Sequence, residues 1–361
     1  MIILVRAGRA QLANDGCAIE PFSVSLGAVD SLVWLTMACA VASFLLTRWL
    51  ILWQRKGGLG QPIRDYGPDI HQHKRGTPTM GGLSILIVLM LLGIGLALVG
   101  RLTPLVLFVL VSSLGFGAIG LLDDALKFWK KTSDGLIGRY KLLLQGAVSA
   151  LLCAIAYSQG LFQIPLKMPF LSEGLSWPLV VCIGLAVCVL IGTVTAVNFN
   201  DGLDGLASGT TLITVGAFAI VSYLQGHNDL VSFLIVAMAV ILGFFWWNVY
   251  PAHIFMGDTG SFTLGGLVRA TTLATRSEFF LPLLAFIPMI EVVSVMIQVP
   301  TYKLTKKRVF KVAPLHHHFE LAKGVNYEFN LPNIEWPEPL ITFRFWIVAA
   351  FVALIGLLAY R

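Results

Sequence analysis

The chain has 361 residues, 57% of them hydrophobic and only 12% charged, with a formal net charge of +6. An ordinary soluble domain carries about 25% charged residues, so this composition excludes that class and places the chain in a bilayer.

Residues 1–30 are expected to form an external tail, because Asn14, Asp15 and Glu20 interrupt any apolar core that a signal peptide would need. About ten apolar runs of bilayer-crossing length follow, beginning near Ser31, Met80, Pro104, Lys141, Pro178, Ser208, Leu230, Ser261, Phe279 and Pro339. The expected architecture is therefore an all-α polytopic membrane protein of about ten transmembrane helices, with residues 31–361 as a single catalytic domain. Cys17, Cys39, Cys153, Cys182 and Cys188 are odd in number, lack any pairing pattern and read as packing residues.

Lys and Arg resist translocation when they sit in short loops. They concentrate between Gln54 and Thr79, between Asp123 and Lys141, and between Lys303 and Lys323, after the first, third and ninth runs. All three segments then face the cytoplasm, and both termini face the periplasm. Arg101, Lys167 and Arg276 are the scattered charges of the opposite side, and Arg6 and Arg9 stand against the rule.

Three aspartate clusters share that cytoplasmic face: Asp123 with Asp124 at the end of the third run, Asp201 with Asp204 after the fifth, and Asp258 before the eighth. Carboxylates at membrane depth are costly and mark functional sites. Several Asp without neighbouring Cys favour Mg²⁺ over Zn²⁺, and Mg²⁺ characteristically joins one or two protein carboxylates to substrate phosphates. Adjacent helical residues point about 100° apart, so one of Asp123 and Asp124 should face the site more directly.

Asp258 lies in Met256-Gly257-Asp258-Thr259-Gly260-Ser261, where Thr259 or Ser261 is placed to cap the coming helix and its N–H groups to bind an anion. The glycines of Asn198-Phe199-Asn200-Asp201-Gly202-Leu203-Asp204-Gly205-Leu206 allow a close-approach turn. The basic partners are Lys74 and Arg75, leading into a Gly-rich run through Thr79 to Gly82, and Lys127, Lys130, Lys131, Arg139 and Lys141 after the Asp pair. Such groups suit pyrophosphate or anionic lipid heads. His316-His317-His318 lacks the i, i+4 spacing of a helical zinc site, so its expected work is hydrogen bonding to phosphate, sugar or an aspartate. His71, His73, His227 and His253 read as loop histidines.

Taken with Asn248-Val249-Tyr250-Pro251-Ala252 and Pro314-Leu315-His316-His317-His318-Phe319-Glu320, these segments resemble the polyprenyl-phosphate N-acetylhexosamine-1-phosphate transferases. The Lys74–Gly82 run and the triple histidine point to their phospho-N-acetylmuramoyl-pentapeptide branch. The resemblance covers about Gln54 to the C-terminus. It implies Mg²⁺-dependent transfer of phospho-MurNAc-pentapeptide from UDP-MurNAc-pentapeptide to undecaprenyl phosphate, giving lipid I and UMP, in the bacterial cytoplasmic membrane as the first membrane step of peptidoglycan synthesis.

The same resemblance makes Asp258 the metal ligand, and Asp123, Asp124 and Asp258 the catalytic set, with Asp123 as base near the lipid phosphate. It makes Asn198, Asp201, Asp204, Asn248, Phe255, His316, His317 and His318 donor-binding positions, Phe255 by stacking on uracil, with Lys74, Thr79, Lys141, Glu291 and Gln298 in support. No nucleic-acid partner is expected; a homodimer is admitted. Phe199 and Asn200 depart from the family's usual Leu-Thr, and the stretch 323–333 is longer than in many relatives, with Tyr327, Phe329 and Leu331 alternating as in a short peripheral strand. A secondary transporter would place its acids near the midplane rather than at one edge, and a sister transferase for UDP-N-acetylglucosamine would differ around the histidines.

Overall fold

The computed structural model describes residues 26–57, 76–130, 135–163, 165–170, 177–321 and 328–360. Most of the expected N-terminal tail, with Arg6, Arg9 and Cys17, lies outside the described residues, as do His71, His73, Lys74, Arg75, Lys131, Lys323 and Tyr327. The helices are α1 (Leu26–Lys56), α2 (Gly82–Leu98), α3 (Pro104–Lys130), α4 (Gly138–Ser158), α5 (Leu179–Phe199), α6 (Leu206–Leu224) and α7 (Asn228–Asn248), followed by α8 (Gly257–Ala274), α9 (Leu281–Leu284), α10 (Phe286–Thr305), α11 (His316–Phe319) and α12 (Glu338–Ala359). Ten of these have 17 or more residues, and each begins close to a predicted start; the largest discrepancies are Phe286 of α10 against an expected Phe279 and Leu26 of α1 against an expected Ser31. Seven are long and apolar enough to cross a membrane, and eight if α9–α10 with its preceding turn counts as one bent span. The chain is an all-α multi-pass membrane protein.

α8 falls outside that apolar set because it carries Thr259, Ser261, Thr263, Arg269, Thr271 and Thr272, yet every residue from Thr259 to Ala274 is buried. It is the axis of the bundle, facing protein rather than lipid, and its small residues let other helices come close. A Cβ on Gly260 would lie 2.8 Å from the Gly82 Cα of α2, and one on Gly266 would lie 2.7 Å from the Ser112 carbonyl oxygen of α3. Hydrogen bonds from Ser112 Oγ to Gly266 O (2.8 Å) and from Ser113 Oγ to Thr263 O (2.9 Å) fix that register. α1 packs on α7 in the same way, with Ser43 Oγ donating to Val240 O at 2.7 Å.

The segment 278–284 and α10 meet at 95°. Pro288 explains the break: a helix continued from α9 would set its ring against the Leu284 carbonyl and leave that carbonyl without its N–H donor. α3 departs from expectation in the other direction. Its helix runs on through Asp123 and Asp124 to Lys130, because Ala125, Leu126 and Lys127 are good helix formers and Lys127 pairs with Asp123 at i, i+4.

At one end of the bundle the C-termini of α1, α3, α5 and α7 meet the N-termini of their successors or the loops that lead into them. Gln54 of α1 holds Thr79 before α2 through both its N–H (3.0 Å) and its C=O (2.7 Å). Asn248 of α7 accepts from Ser208 of α6 at 2.7 Å, and Glu338 of α12 accepts the Asp204 N–H at 2.9 Å. Lys167 and Arg276 meet elsewhere, where the Lys167 N–H donates to Arg276 O and Arg276 pairs with Glu278 at 3.1 Å. Cys39, Cys153 and Cys182 are buried and free, consistent with packing; Cys188 is free and exposed on α5.

Candidate active site

The helical run-on of α3 sets the geometry. Asp123 and Asp124 sit inside the helix facing the first turn of α8, and ligand atoms of Asp123, Asp124 and Asp258 all lie within 4.8 Å of one another. Close approach is obligatory here, since a Cβ on Gly120 would fall 2.1 Å from the Asp258 carbonyl oxygen.

The two neighbours do different work. Asp124 accepts three hydrogen bonds from α8: the Asp258 N–H (3.2 Å), the Thr259 N–H (2.8 Å) and the Thr259 hydroxyl (2.7 Å). The expected local cap by Thr259 or Ser261 is therefore replaced. No side chain of α8's own cap residue closes it, and a carboxylate from α3 occupies the anion position at its N-terminus. Gly257, at φ +75°, makes the turn that allows this. Asp123 accepts the Leu136 N–H at 2.8 Å and pairs with Lys127 at 2.6 Å.

Asp258 is the most open of the three, its side chain 14% exposed against 3% and 5% for Asp123 and Asp124, so it is the carboxylate a ligand from solution reaches. Its Oδ1 accepts from Asn198 Nδ2 at 2.7 Å; its Oδ2 receives both Lys127 Nζ and Lys141 Nζ at 2.8 Å. Lys141 is steadied over the Phe262 ring, 4.6 Å from its centroid. In the α5–α6 loop, burial and then the Asp258, Asp124 and Asp204 carboxylates push the Asp201 pKa up to about 8, against a hydrogen bond from Gly257. Asp123, Asp124 and Asp258 thus face two ammonium groups, and these three carboxylates are a donor set of hard oxygens that suits a divalent cation such as Mg²⁺.

The Gly-rich entry to α2 joins this cluster by backbone. Phe255 N–H donates to Pro78 O (2.8 Å), and Gly81 and Gly82 N–H donate to Phe255 O and Met256 O (2.9 Å each), which sets Thr79 and Phe255 beside the start of α8.

A second group lies beyond the α5–α6 loop. Glu291, fully buried in α10, accepts the His316 N–H at 3.2 Å and lies 3.3 Å from its Nδ1. The His316 ring is buried against Gly202, so close that a Cβ there would meet its Nε2 at 2.1 Å. Gln298 binds Val309 N–H and Phe310 N–H (3.0 Å each) and Phe310 O (3.2 Å). His318 Nδ1 accepts the Lys311 N–H at 3.0 Å; burial and the Lys311 charge hold its pKa below the usual histidine value. His317, with Nδ1 2.8 Å from Glu320, is the most open of the three at 27% exposure.

Several predicted ligand positions are thus engaged by protein. Asp204 accepts the Ala252 N–H at 2.9 Å, and Asn248 spans Ser208 and Ile254 O (3.1 Å), both holding the 249–256 loop. The expected peripheral stretch is partly described: Phe329 bridges Arg308 and packs on His318 with ring centroids 5.9 Å apart, while Asn333 receives Lys311 Nζ at 3.0 Å. It lies on the histidine loop rather than apart from it. Sequence reasoning names Lys127 only as one of the basic residues after the aspartate pair, although its i+4 and i+3 spacing from the two aspartates is a signal for the pairing; it misses Lys311, buried to 1% exposure by pairings no local pattern reveals.

Residues 106–278 match glycosyl transferase family 4, and residues 74–86 match signature 1 of the phospho-N-acetylmuramoyl-pentapeptide-transferases. A phospho-N-acetylmuramoyl-pentapeptide-transferase of Rubrobacter xylanophilus is 39% identical over 347 residues, covering 94% of this chain and 97% of that one. Those of Frankia casuarinae (40% over 352 residues, 89% and 94%) and Rhodopseudomonas palustris (39% over 341 residues, 88% and 90%) are similar to the same extent. A membrane bundle whose entry to α2 carries that signature, whose α3 and α8 bring the three aspartates together at one end, and which is matched over nearly its full length, belongs to the phospho-N-acetylmuramoyl-pentapeptide-transferase family.

Proposed function

We propose that the chain transfers phospho-MurNAc-pentapeptide from UDP-MurNAc-pentapeptide to undecaprenyl phosphate, giving lipid I and UMP, at the cytoplasmic face of the bacterial cytoplasmic membrane with both termini outside. The observation that carries this reading is the convergence of Asp123, Asp124, Asp258, Lys127 and Lys141 at one end of an apolar bundle. A lipid acceptor needs a bilayer site and a nucleotide donor needs an aqueous one; a cluster at the membrane edge serves both.

Asp258 would hold Mg²⁺, which when bound neutralises charge developing on the pyrophosphate. An anionic oxygen of the lipid phosphate attacks the sugar-bearing phosphorus. That P–O bond forms as the bond to the bridging oxygen breaks, and the electron pair leaves on UMP. Asp123, at the buried floor of the cluster, orients or deprotonates the lipid phosphate. Asn198 orients Asp258, and Lys141 supplies positive charge beside it. Phe255 offers its ring to the uracil and His317 its open edge to the donor, with His316 and His318 holding the loop.

A covalent route would need one of these same carboxylates as nucleophile. Direct attack is the preferred route, since the acceptor already carries an anionic oxygen and positioning supplies much of the acceleration. The decisive assay offers purified protein UDP-MurNAc-pentapeptide or UDP-N-acetylglucosamine with undecaprenyl phosphate and Mg²⁺. Turnover of the first donor alone supports the reading, and preference for the second assigns the sister reaction. Label exchange from UMP into donor in rigorously delipidated protein would overturn direct attack.

A further inference from the structure

Lys127 Nζ lies 2.6 Å from Asp123 Oδ2, 2.8 Å from Asp258 Oδ2 and 3.7 Å from Asp124 Oδ1, so one ammonium touches all three carboxylates. Lys141 reaches Asp258 at 2.8 Å and Asp123 at 3.8 Å, and its ammonium is additionally held over Phe262. Lys127 is the freer of the two, its side chain 33% exposed against 21%, near the end of α3 at the mouth of the cluster.

We propose that Lys127 is an exchangeable cation of this site: its ammonium occupies the divalent-ion position while that position is empty, and it moves to the donor's pyrophosphate when the metal enters. This rests on the reading of Asp258 as metal ligand. The physical case is one of space and charge. A divalent ion binds carboxylate oxygen at about 2.1 Å and fills its remaining positions with water or phosphate oxygens, which an ammonium 2.8 Å from the same Asp258 Oδ2 obstructs. Three clustered carboxylates, two of them nearly fully buried, need a compensating charge before any metal arrives, and an ammonium on a flexible stem supplies it. Displaced by the ion, the same stem reaches outward, where the newly bound pyrophosphate brings negative charge. Lys127 therefore opposes metal binding to the empty site and favours nucleotide binding to the loaded one, so its removal acts on the two ligands with opposite signs. A merely structural lysine would, on removal, weaken both.

The test uses the intact protein in lipid nanodiscs. Free Mn²⁺ is followed by electron paramagnetic resonance, and UMP binding at saturating Mn²⁺ by calorimetry. Lys127→Met should bind Mn²⁺ alone roughly tenfold tighter and UMP roughly tenfold weaker than the unsubstituted protein, while Lys127→Arg, which keeps the charge, should stay within about twofold for Mn²⁺. On the unsubstituted protein, acylation of the Lys127 amine by a water-soluble reagent, read by peptide mass spectrometry, should rise several-fold on adding Mg²⁺ as the ammonium is released. That second measurement decides the matter even if Lys127→Met does not fold. Unchanged or weaker Mn²⁺ binding in a folded Lys127→Met, or unchanged acylation, overturns the exchange while Asp258-dependent Mn²⁺ binding in the unsubstituted protein leaves the metal reading standing. Absence of any Mn²⁺ binding that Asp258→Asn abolishes overturns both.

Discussion

Asp124→Asn separates a positioning role from a chemical one. The carboxylate accepts the Asp258 N–H, the Thr259 N–H and the Thr259 hydroxyl while only 5% exposed. An asparagine keeps the shape but has one acceptor oxygen, so whichever way the amide turns, its NH₂ faces a backbone N–H that has lost its partner. An unsatisfied buried donor costs ~1–3 kcal/mol, and loss of the charge at the helix N-terminus adds ~1 kcal/mol or more in a partly buried setting. A central figure of about 3 kcal/mol corresponds to roughly hundredfold faster opening of the first turn of α8. Hydrogen exchange of a peptide spanning 256–262 measures this directly. Since that turn carries Asp258, Mn²⁺ affinity and turnover should fall with protection, and Thr259→Val, which removes only the hydroxyl bond, should show a smaller loss in all three. Turnover abolished in Asp124→Asn with exchange and Mn²⁺ affinity unchanged would refute the argument and place Asp124 in the chemistry.

Asp258→Asn should abolish Mn²⁺ binding and turnover with α8 protection near normal, because the amide keeps the side chain's shape but not its charge; retained activity at ordinary Mg²⁺ would remove the metal site. Gly120→Ala places a methyl 2.1 Å from the Asp258 carbonyl oxygen and 2.8 Å from the Thr259 nitrogen, so it should cost ~1–3 kcal/mol and displace α8; normal thermal stability and activity would contradict the close approach. The histidine loop should loosen in acid. The folded-state pKa of His318 lies below the unfolded value of about 6.5, so its contribution is present above that pH and lost as pH falls through the folded value. Exchange of a peptide spanning 308–320, corrected for intrinsic chemical rate, should quicken on going from pH ~7.5 to ~5.5, and pH-independent protection would exclude this coupling.

Much of the fold was legible because membrane spans are set by length and hydropathy, and apolar runs starting near Pro104, Pro178 and Leu230 became α3, α5 and α7. The sharp bend before α10 was missed although its cause, Pro288, stands in the sequence; composition alone does not say whether a proline kinks a span or breaks it. α8 was located but not its centrality. What makes it the axis is close contact of Gly260 with Gly82 and of Gly266 with Ser112, and such long-range pairings leave no local pattern.

The site divides along the same line. Types and faces were readable: aspartates, lysines and histidines gathered at one edge of the bundle mark it without any coordinates. Partners were not. Asp204, Asn248, Glu291 and Gln298 carry the same polar chemistry as Asp258, and only the fold shows that their hydrogen bonds go to Ala252, Ser208, His316 and Phe310. Asp123 and Asp124 make the point most sharply, since adjacent identical side chains take a lysine and a helix terminus respectively. A buried polar group must find a partner, and whether that partner is protein or ligand decides its role. Asp258 differs from the rest because it is the most open of the clustered carboxylates and its Oδ2 receives two ammonium groups, which are the partners a divalent ion can replace.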